Sequence, residues 1–135
     1  MQVREVMNQH AVTLTPQQTL GEAAEVMRRI DTGFVPVGEN DRLVGTITDR
    51  DIVVNGMARG KSADDAVREV MGQEVLYCFD DQEVAEVARN MGERQVRRMP
   101  VVDRDKRLVG IVSLGDLSTD GDPSAAGVAL EQISQ

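Results

Sequence analysis

Aromatic side chains are nearly missing from this 135-residue sequence, which has Phe34, Phe79 and Tyr77 but no tryptophan. Val, Leu, Ile, Met and Ala must therefore fill the core, and no stacking platform for single-stranded nucleic acid is available. Positive charge is also short. Fifteen Lys and Arg stand against 23 Asp and Glu, a net charge of −8. This argues against a nucleic-acid partner, whose binding rests on cations that neutralise phosphates. Cysteine and histidine occur once each, at Cys78 and His10. Without a partner thiol there is no internal disulfide and no Cys/His zinc site. Cys78 reads as a small apolar strand residue. His10 lies in the polar stretch MNQHA and reads as solvated, a poor position from which to assemble a triad. No apolar run reaches the ~18 residues of a membrane span, and neither a signal peptide nor a basic amphipathic face is present. The expectation is a cytoplasmic protein without a membrane partner.

What remains is an ordinary soluble composition, 41% apolar and 28% charged, arranged as a repeat. The pentapeptide VREVM occurs at Val3–Met7 and again at Val67–Met71. At that same offset of 64, Gln18 meets Gln82, Glu22 meets Glu86, Met27 meets Met91, Pro36 meets Pro100 and Val37 meets Val101. One extra residue near Lys106 makes the offset 65; RLVG at Arg42–Gly45 then falls on RLVG at Arg107–Gly110, and Asp51 on Asp116. The period is too long for a solenoid of 20–50-residue units. It marks a duplicated small domain, residues 1–62 and 63–135. A unit of about 60 residues is marginal alone, so the two are expected to share one core.

Each copy reads β-α-β-β-α. TLGEAAEVMRRI opens with Thr19 three residues before Glu22, a capping-box pattern, and continues with apolar residues at helical spacing. Copy two repeats that spacing at Val84, Val87, Ala88 and Met91. FVPV and LVGTI, separated by GENDR, read as a hairpin; MPVV, DRDKR and LVGIV are its counterpart. Helices are expected again at DRDIVVNGMA and from LGDL, and short strands around Val12–Leu14 and Val75–Phe79. PSAAGVALEQI reads as a closing helix after STDGDPS. In VREVM the Val, Val and Met lie on one side of a single helical turn, which reads as a docking turn with Arg and Glu in solvent.

Chemistry concentrates just after the hairpins, where copy one reads GTITDRD and copy two GIVSLGD. Thr48-x-x-Asp51 and Ser113-x-x-Asp116 fit the Ser/Thr-x-x-acid pattern that starts a helix, and capping alone explains so short a motif. A helix start also offers backbone N–H groups to an anion. A hydroxyl there can donate to a phosphate, and an Asp one turn on can accept from two ribose hydroxyls. GMARGKS, from Gly56 to Ser62, is one residue short of the phosphate loop G-x-x-x-x-G-K-[ST] and follows a helix. It reads as a connector, with Lys61 in solvent.

The tandem pattern, with FVPV…RLVGTITDRD and RRMPVVDRDKRLVGIVSLGD, resembles a pair of cystathionine-β-synthase (CBS) domains, the Bateman module, over Val3 to Thr119. The resemblance implies an α+β fold in which two pseudo-twofold-related β-α-β-β-α units pack sheet to sheet and leave two related clefts. Such clefts commonly take AMP, ADP or ATP, and sometimes S-adenosylmethionine or a dinucleotide. Carried over to this chain, the resemblance assigns phosphate to the hydroxyls of Thr48 and Ser113, and ribose to Asp51 and Asp116. The adenine slot would be walled by Phe34, Val35, Pro36, Met99 and Pro100, with Thr13 and Tyr77 nearby. Arg97 and Arg98 occupy the place of a basic pair that reaches phosphate; copy one has Gly33 and Phe34 instead, and Arg50 could compensate by turning inward.

The resemblance also implies a homodimer in the form of a four-CBS disc. Two functional classes follow from it. One is a stand-alone, non-catalytic regulatory sensor that binds an adenosine nucleotide, needs no cofactor or metal, and acts on a partner of unknown identity. The other is a dimerisation or protein-interaction module without a ligand. An enzyme is not expected, because no nucleophile–His pair, metal cluster or phosphate loop is present.

Overall fold

The structure, a computed structural model, describes residues 1–120, with side chains as far as Leu117. The closing helix expected at PSAAGVALEQI lies outside the described residues. The chain forms two packing units, Val12–Val75 on the one hand and Met1–Ala11 with the stretch from Leu76 onward on the other. The buried apolar side chains likewise fall into two clusters, one per unit, rather than the single core expected from size.

In the unit Val12–Val75, helix α1 spans Leu20–Ile30. Thr19 caps it by accepting the Glu22 N–H at 3.1 Å, as the capping-box spacing requires. Leu20, Ala23 and Met27 are its buried residues, one apolar stripe at helical period. Strands β1 (Phe34–Glu39) and β2 (Arg42–Thr48) form the antiparallel hairpin. Asn40 and Asp41, both at positive φ, turn it, a two-residue loop suited to the sheet twist. Val35, Val37 and Ile47 are fully buried on one face; Phe34 and Pro36 alternate onto the opposite face with their register partners Thr48 and Thr46.

In the second unit, β3 (Cys78–Phe79) lies parallel to β4 (Arg98–Val102), which pairs antiparallel with β5 (Leu108–Ser113). Helix α2 (Val84–Arg94) buries Val84, Val87, Ala88 and Met91. Helix α3 runs over Leu114–Asp120.

The first strand of copy one shrinks to a single parallel bridge, Leu14 to Val37. The cause is Pro16. Its counterpart Asp80 donates its N–H to the Val102 carbonyl at 2.9 Å and so carries the pairing on; proline has no N–H to donate. The helix expected at DRDIVVNGMA begins with Asp49 and Arg50 in α geometry, widens to π-type hydrogen bonding over Asp51–Gly56, and ends in a 3₁₀ turn at Met57–Arg59.

The VREVM turns are 3₁₀ turns at Val3–Glu5 and Val67–Glu69. Val3 and Val67 are fully buried, while Val6 and Val70 are almost so. Glu5 and Glu69 are not idle in solvent: each carboxylate accepts a backbone N–H three residues back, from Gln2 at 2.7 Å and Ala66 at 3.0 Å.

Each turn docks onto elements of the other copy. Val3 N–H donates to Gln82 O at 2.9 Å, and Asn8 exchanges two backbone bonds with Ile111. In the other unit Val67 N–H donates to Gln18 O at 2.7 Å, and Gly72 exchanges the same two bonds with Thr46. The boundary of the sequence repeat and the boundary of packing thus differ. Among the described residues, no helix is long and apolar enough to cross a membrane.

Candidate functional site

Two loops leave the hairpins with the same backbone frame. In copy one Thr48 ends β2, and Asp49 N–H donates to Gly33 O at 3.0 Å. In copy two Ser113 ends β5, and Leu114 N–H donates to Arg97 O at 3.0 Å. Each hydroxyl then closes a reciprocal cap. Thr48 Oγ1 accepts the Asp51 N–H at 3.0 Å, and Asp51 Oδ2 accepts the Thr48 N–H at 2.9 Å. Ser113 Oγ and Asp116 Oδ2 make the same exchange at 3.1 and 2.9 Å. All four residues are half-buried.

Capping and ligand binding do not compete for these atoms. As a cap acceptor, the hydroxyl uses one lone pair and keeps its O–H to donate. A carboxylate has about four acceptor positions. On Asp51 the cap takes one, and the Asn55 side-chain amide takes another, at 3.3 Å on Oδ1. The alternative left open by the sequence, cap or ligand contact, therefore dissolves: one arrangement can do both.

The strand register decides which of the expected residues stand beside these caps. Phe34 is the cross-strand partner of Thr48, and Arg98 that of Ser113. Directly opposed residues lie on the same face, with Cβ atoms about 4.5–5.5 Å apart. Pro36 and Pro100 are two residues along on these faces. Val35 and Met99 alternate to the other face and are buried in the cores. Met99 and Tyr77 line a cavity of about 270 Å³ with Leu76, Asn90, Glu93 and Arg94. Thr13 is exposed, next to Leu14, whose N–H donates to Pro36 O at 3.0 Å. Arg50, Arg97 and Arg98 all have exposed side chains.

Two features escaped the sequence reading. Asn55 lies four residues past Asp51, one helical turn on, and that spacing was visible. Asp49 lies against Gly33, where an added Cβ would meet its Oδ2 at 2.8 Å; a lone Gly–Asp pair sixteen residues apart gives no pattern to search for. Lys61, expected in solvent, instead pairs with Glu69 at 3.1 Å.

Cys78 is buried on β3 alongside β4, with its Sγ 3.8 Å from the Pro100 carbonyl. Burial, and to a lesser extent the Asp80 charge, push its thiol up to about 12. A neutral buried thiol is neither nucleophile nor metal ligand.

The family model described as "CBS domain" matches the chain twice, over residues 3–56 and 67–119. The CBS domain-containing protein YhcV of Bacillus subtilis is 38% identical over 133 residues, 98% of this chain and 94% of its own length. A crystal structure of Hypoxic Response Protein I with two coordinated zinc ions aligns with a TM-score of 0.81 at 36% identity, covering 89% of this chain and 98% of that one. The CBS domain pair of protein MJ0100, in complex with 5′-methylthioadenosine and S-adenosyl-L-methionine, aligns with a TM-score of 0.75 at 28% identity, covering 87% and 93%. Among the described residues no three His, Cys, Asp or Glu side chains converge.

Proposed function

The chain belongs to the CBS domain family, with two of its domains in tandem, and from that premise we propose that it is a non-catalytic regulatory sensor of an adenosine-containing ligand. The observation that carries the proposal is the reciprocal cap at Thr48/Asp51 and Ser113/Asp116. In each, a hydroxyl with its proton to spare stands one turn from a carboxylate with acceptor positions to spare. A ribose needs an acceptor for its two hydroxyls, and a phosphate or other 5′ substituent needs a donor nearby. Because the cap holds both groups in place before a ligand arrives, little side-chain ordering remains to be paid for on binding.

The bound ligand acts by population shift: it favours the arrangement it fits best, and a protein partner that reads that arrangement feels the change. Val53, Val54 and Met57, exposed on the helical stretch after Asp51, supply apolar surface for the homodimer that belongs to the same proposal.

Isothermal titration of the purified, ligand-free chain with AMP, ATP and S-adenosylmethionine tests the reading. At least one should bind, and Asp51→Ala or Asp116→Ala should weaken it while circular dichroism stays native. No heat from any of the three would overturn the sensor and leave the interaction module.

A further inference from the structure

The two caps share one backbone frame, but the side chains around them carry opposite charge. In copy two, Arg98 stands directly across from Ser113 and Arg97 precedes it. The residue after the hydroxyl is Leu114, which turns into the core and is almost fully buried. With Asp116, this set carries a net charge of +1, since two Arg oppose one Asp.

In copy one the three positions beside the cap change, while its Asp is kept. Phe34 stands across from Thr48, and Gly33 precedes it. The residue after the hydroxyl is Asp49, whose exposed carboxylate lies against Gly33, 2.8 Å from where a Cβ on that glycine would stand. With Arg50 and Asp51, this set carries a net charge of −1, since two Asp oppose one Arg. The Arg50 backbone N–H caps the Asp49 carboxylate at 2.8 Å and holds it in place.

We infer that the two sites select adenosine ligands by the charge of the 5′ group. The copy-two site, through Arg97 and Arg98, takes a 5′-phosphate. The copy-one site, through Asp49, rejects phosphate and takes adenosine with an uncharged or cationic 5′ substituent, such as a thioether or a sulfonium. This inference rests on the sensor reading and adds the ligand class at each site.

The physical basis is local. A phosphate within hydrogen-bond reach of Thr48 Oγ1 meets the Asp49 charge on the adjacent residue, where like charges at short range repel. Phe34 offers it no donor, whereas its counterpart Arg98 is a five-donor fork suited to phosphate. A sulfonium or thioether asks for no such donor. Next to Phe34 and Asp49 it meets an apolar ring and a negative charge.

The test is titration of the ligand-free full chain with AMP and, separately, with 5′-methylthioadenosine. Asp116→Ala should weaken AMP by at least about tenfold and leave methylthioadenosine unchanged; Asp51→Ala should do the reverse. Two variants of exposed side chains keep the test valid should loss of a cap unfold a domain. Arg98→Gln should weaken AMP alone. Asp49→Asn, which keeps the acceptor for Arg50, should create an AMP response that survives Asp116→Ala. If a variant that keeps native circular dichroism abolishes both ligands, or Arg98→Gln weakens both equally, the charge selection is wrong and the sensor stands. If the wild type binds neither of these, the charge selection is wrong, and if it binds neither ATP nor S-adenosylmethionine as well, the sensor reading itself falls.

Discussion

Replacing Gly110 with alanine would place a methyl group 2.8 Å from the Asn8 carbonyl oxygen and 3.0 Å from the Met7 Sδ. Gly110 has no positive φ, so the demand for glycine is one of space alone. The Met7 thioether can swing aside, but the Asn8 carbonyl cannot, because it accepts the Ile111 N–H at 3.1 Å while Asn8 N–H donates to Ile111 O at 2.9 Å. The added methyl must therefore either strain β5 or lift the first VREVM turn from it. Overpacking of this kind costs about 1–3 kcal/mol. Each backbone bond lost adds a net cost of about 0.5–1.5 kcal/mol. With one bond lost these give about 1.5–4.5 kcal/mol for Gly110→Ala. For a chain of this size that is a fall in melting temperature of roughly 6–18 °C. Gly45→Ala should behave alike, since its Cβ would lie 2.8 Å from Met71 Sδ and 2.9 Å from Gly72 O. Gly72→Ala is the control. It sits in the docking segment that Gly45 packs against, but its Cβ would lie 3.8 Å from the nearest atom, an ordinary contact. Its melting temperature should stay within a few degrees of wild type. Thermal unfolding followed by circular dichroism reads all three. A Gly110→Ala protein that melts with the Gly72→Ala control would refute the docking geometry.

Met91 is fully buried in the core beneath β4 and β5, so Met91→Ala should cost about 2–5 kcal/mol in chemical denaturation. Cys78, its thiol raised to about 12 by burial, should resist alkylation at pH 8 until the chain unfolds. The sign of its pH effect follows from which state ionises first. The unfolded thiol loses its proton near its ordinary value and the folded one only near 12, so between these the unfolded state binds fewer protons and stability falls as pH rises. A Cys78→Ala variant should lose that part of the alkaline decline; an unchanged profile would place its cause in other groups.

Much of the fold was legible because it obeys short-range rules. Thr19 and Glu22 start α1 where their spacing says, and the short β-branched runs FVPV and LVGTI on either side of GENDR name the hairpin. The motif Thr48/Asp51 could be read as a cap from spacing alone, and its duplication pointed to the second. What was not legible depends on distance through space. The offset of 64 is the same whether a VREVM turn docks on its own copy or on the other, so sequence could not show the exchange. Pro16 was in view, but its effect on the first strand appears only beside Asp80, which makes the bond that Pro16 lacks. The contact of Asp49 with Gly33 needed the hairpin closed before the two could meet.

These two kinds of information separate along a physical line, and the separation bears on how the two sites came to differ. The reciprocal cap satisfies backbone N–H groups at a helix start, so it adds to the stability of the fold whether or not a ligand is ever bound. Thr48, Asp51, Ser113 and Asp116 therefore stay alike between the copies in atoms and in distance. The positions beside them carry no such duty. Arg97 and Arg98 point to solvent, Gly33 is constrained by Asp49 alone, and Phe34 is half-buried at the strand end. Changes there cost the fold little, since exposed substitutions away from caps and cores stay near ±0.5 kcal/mol. Yet these side chains stand closest to whatever the hydroxyl touches. A duplicated domain can thus hold its capping frame fixed through the needs of folding while the charge beside that frame diverges, and it is at Gly33/Arg97, Phe34/Arg98, Asp49/Leu114 and Arg50/Gly115 that the two copies diverge in charge.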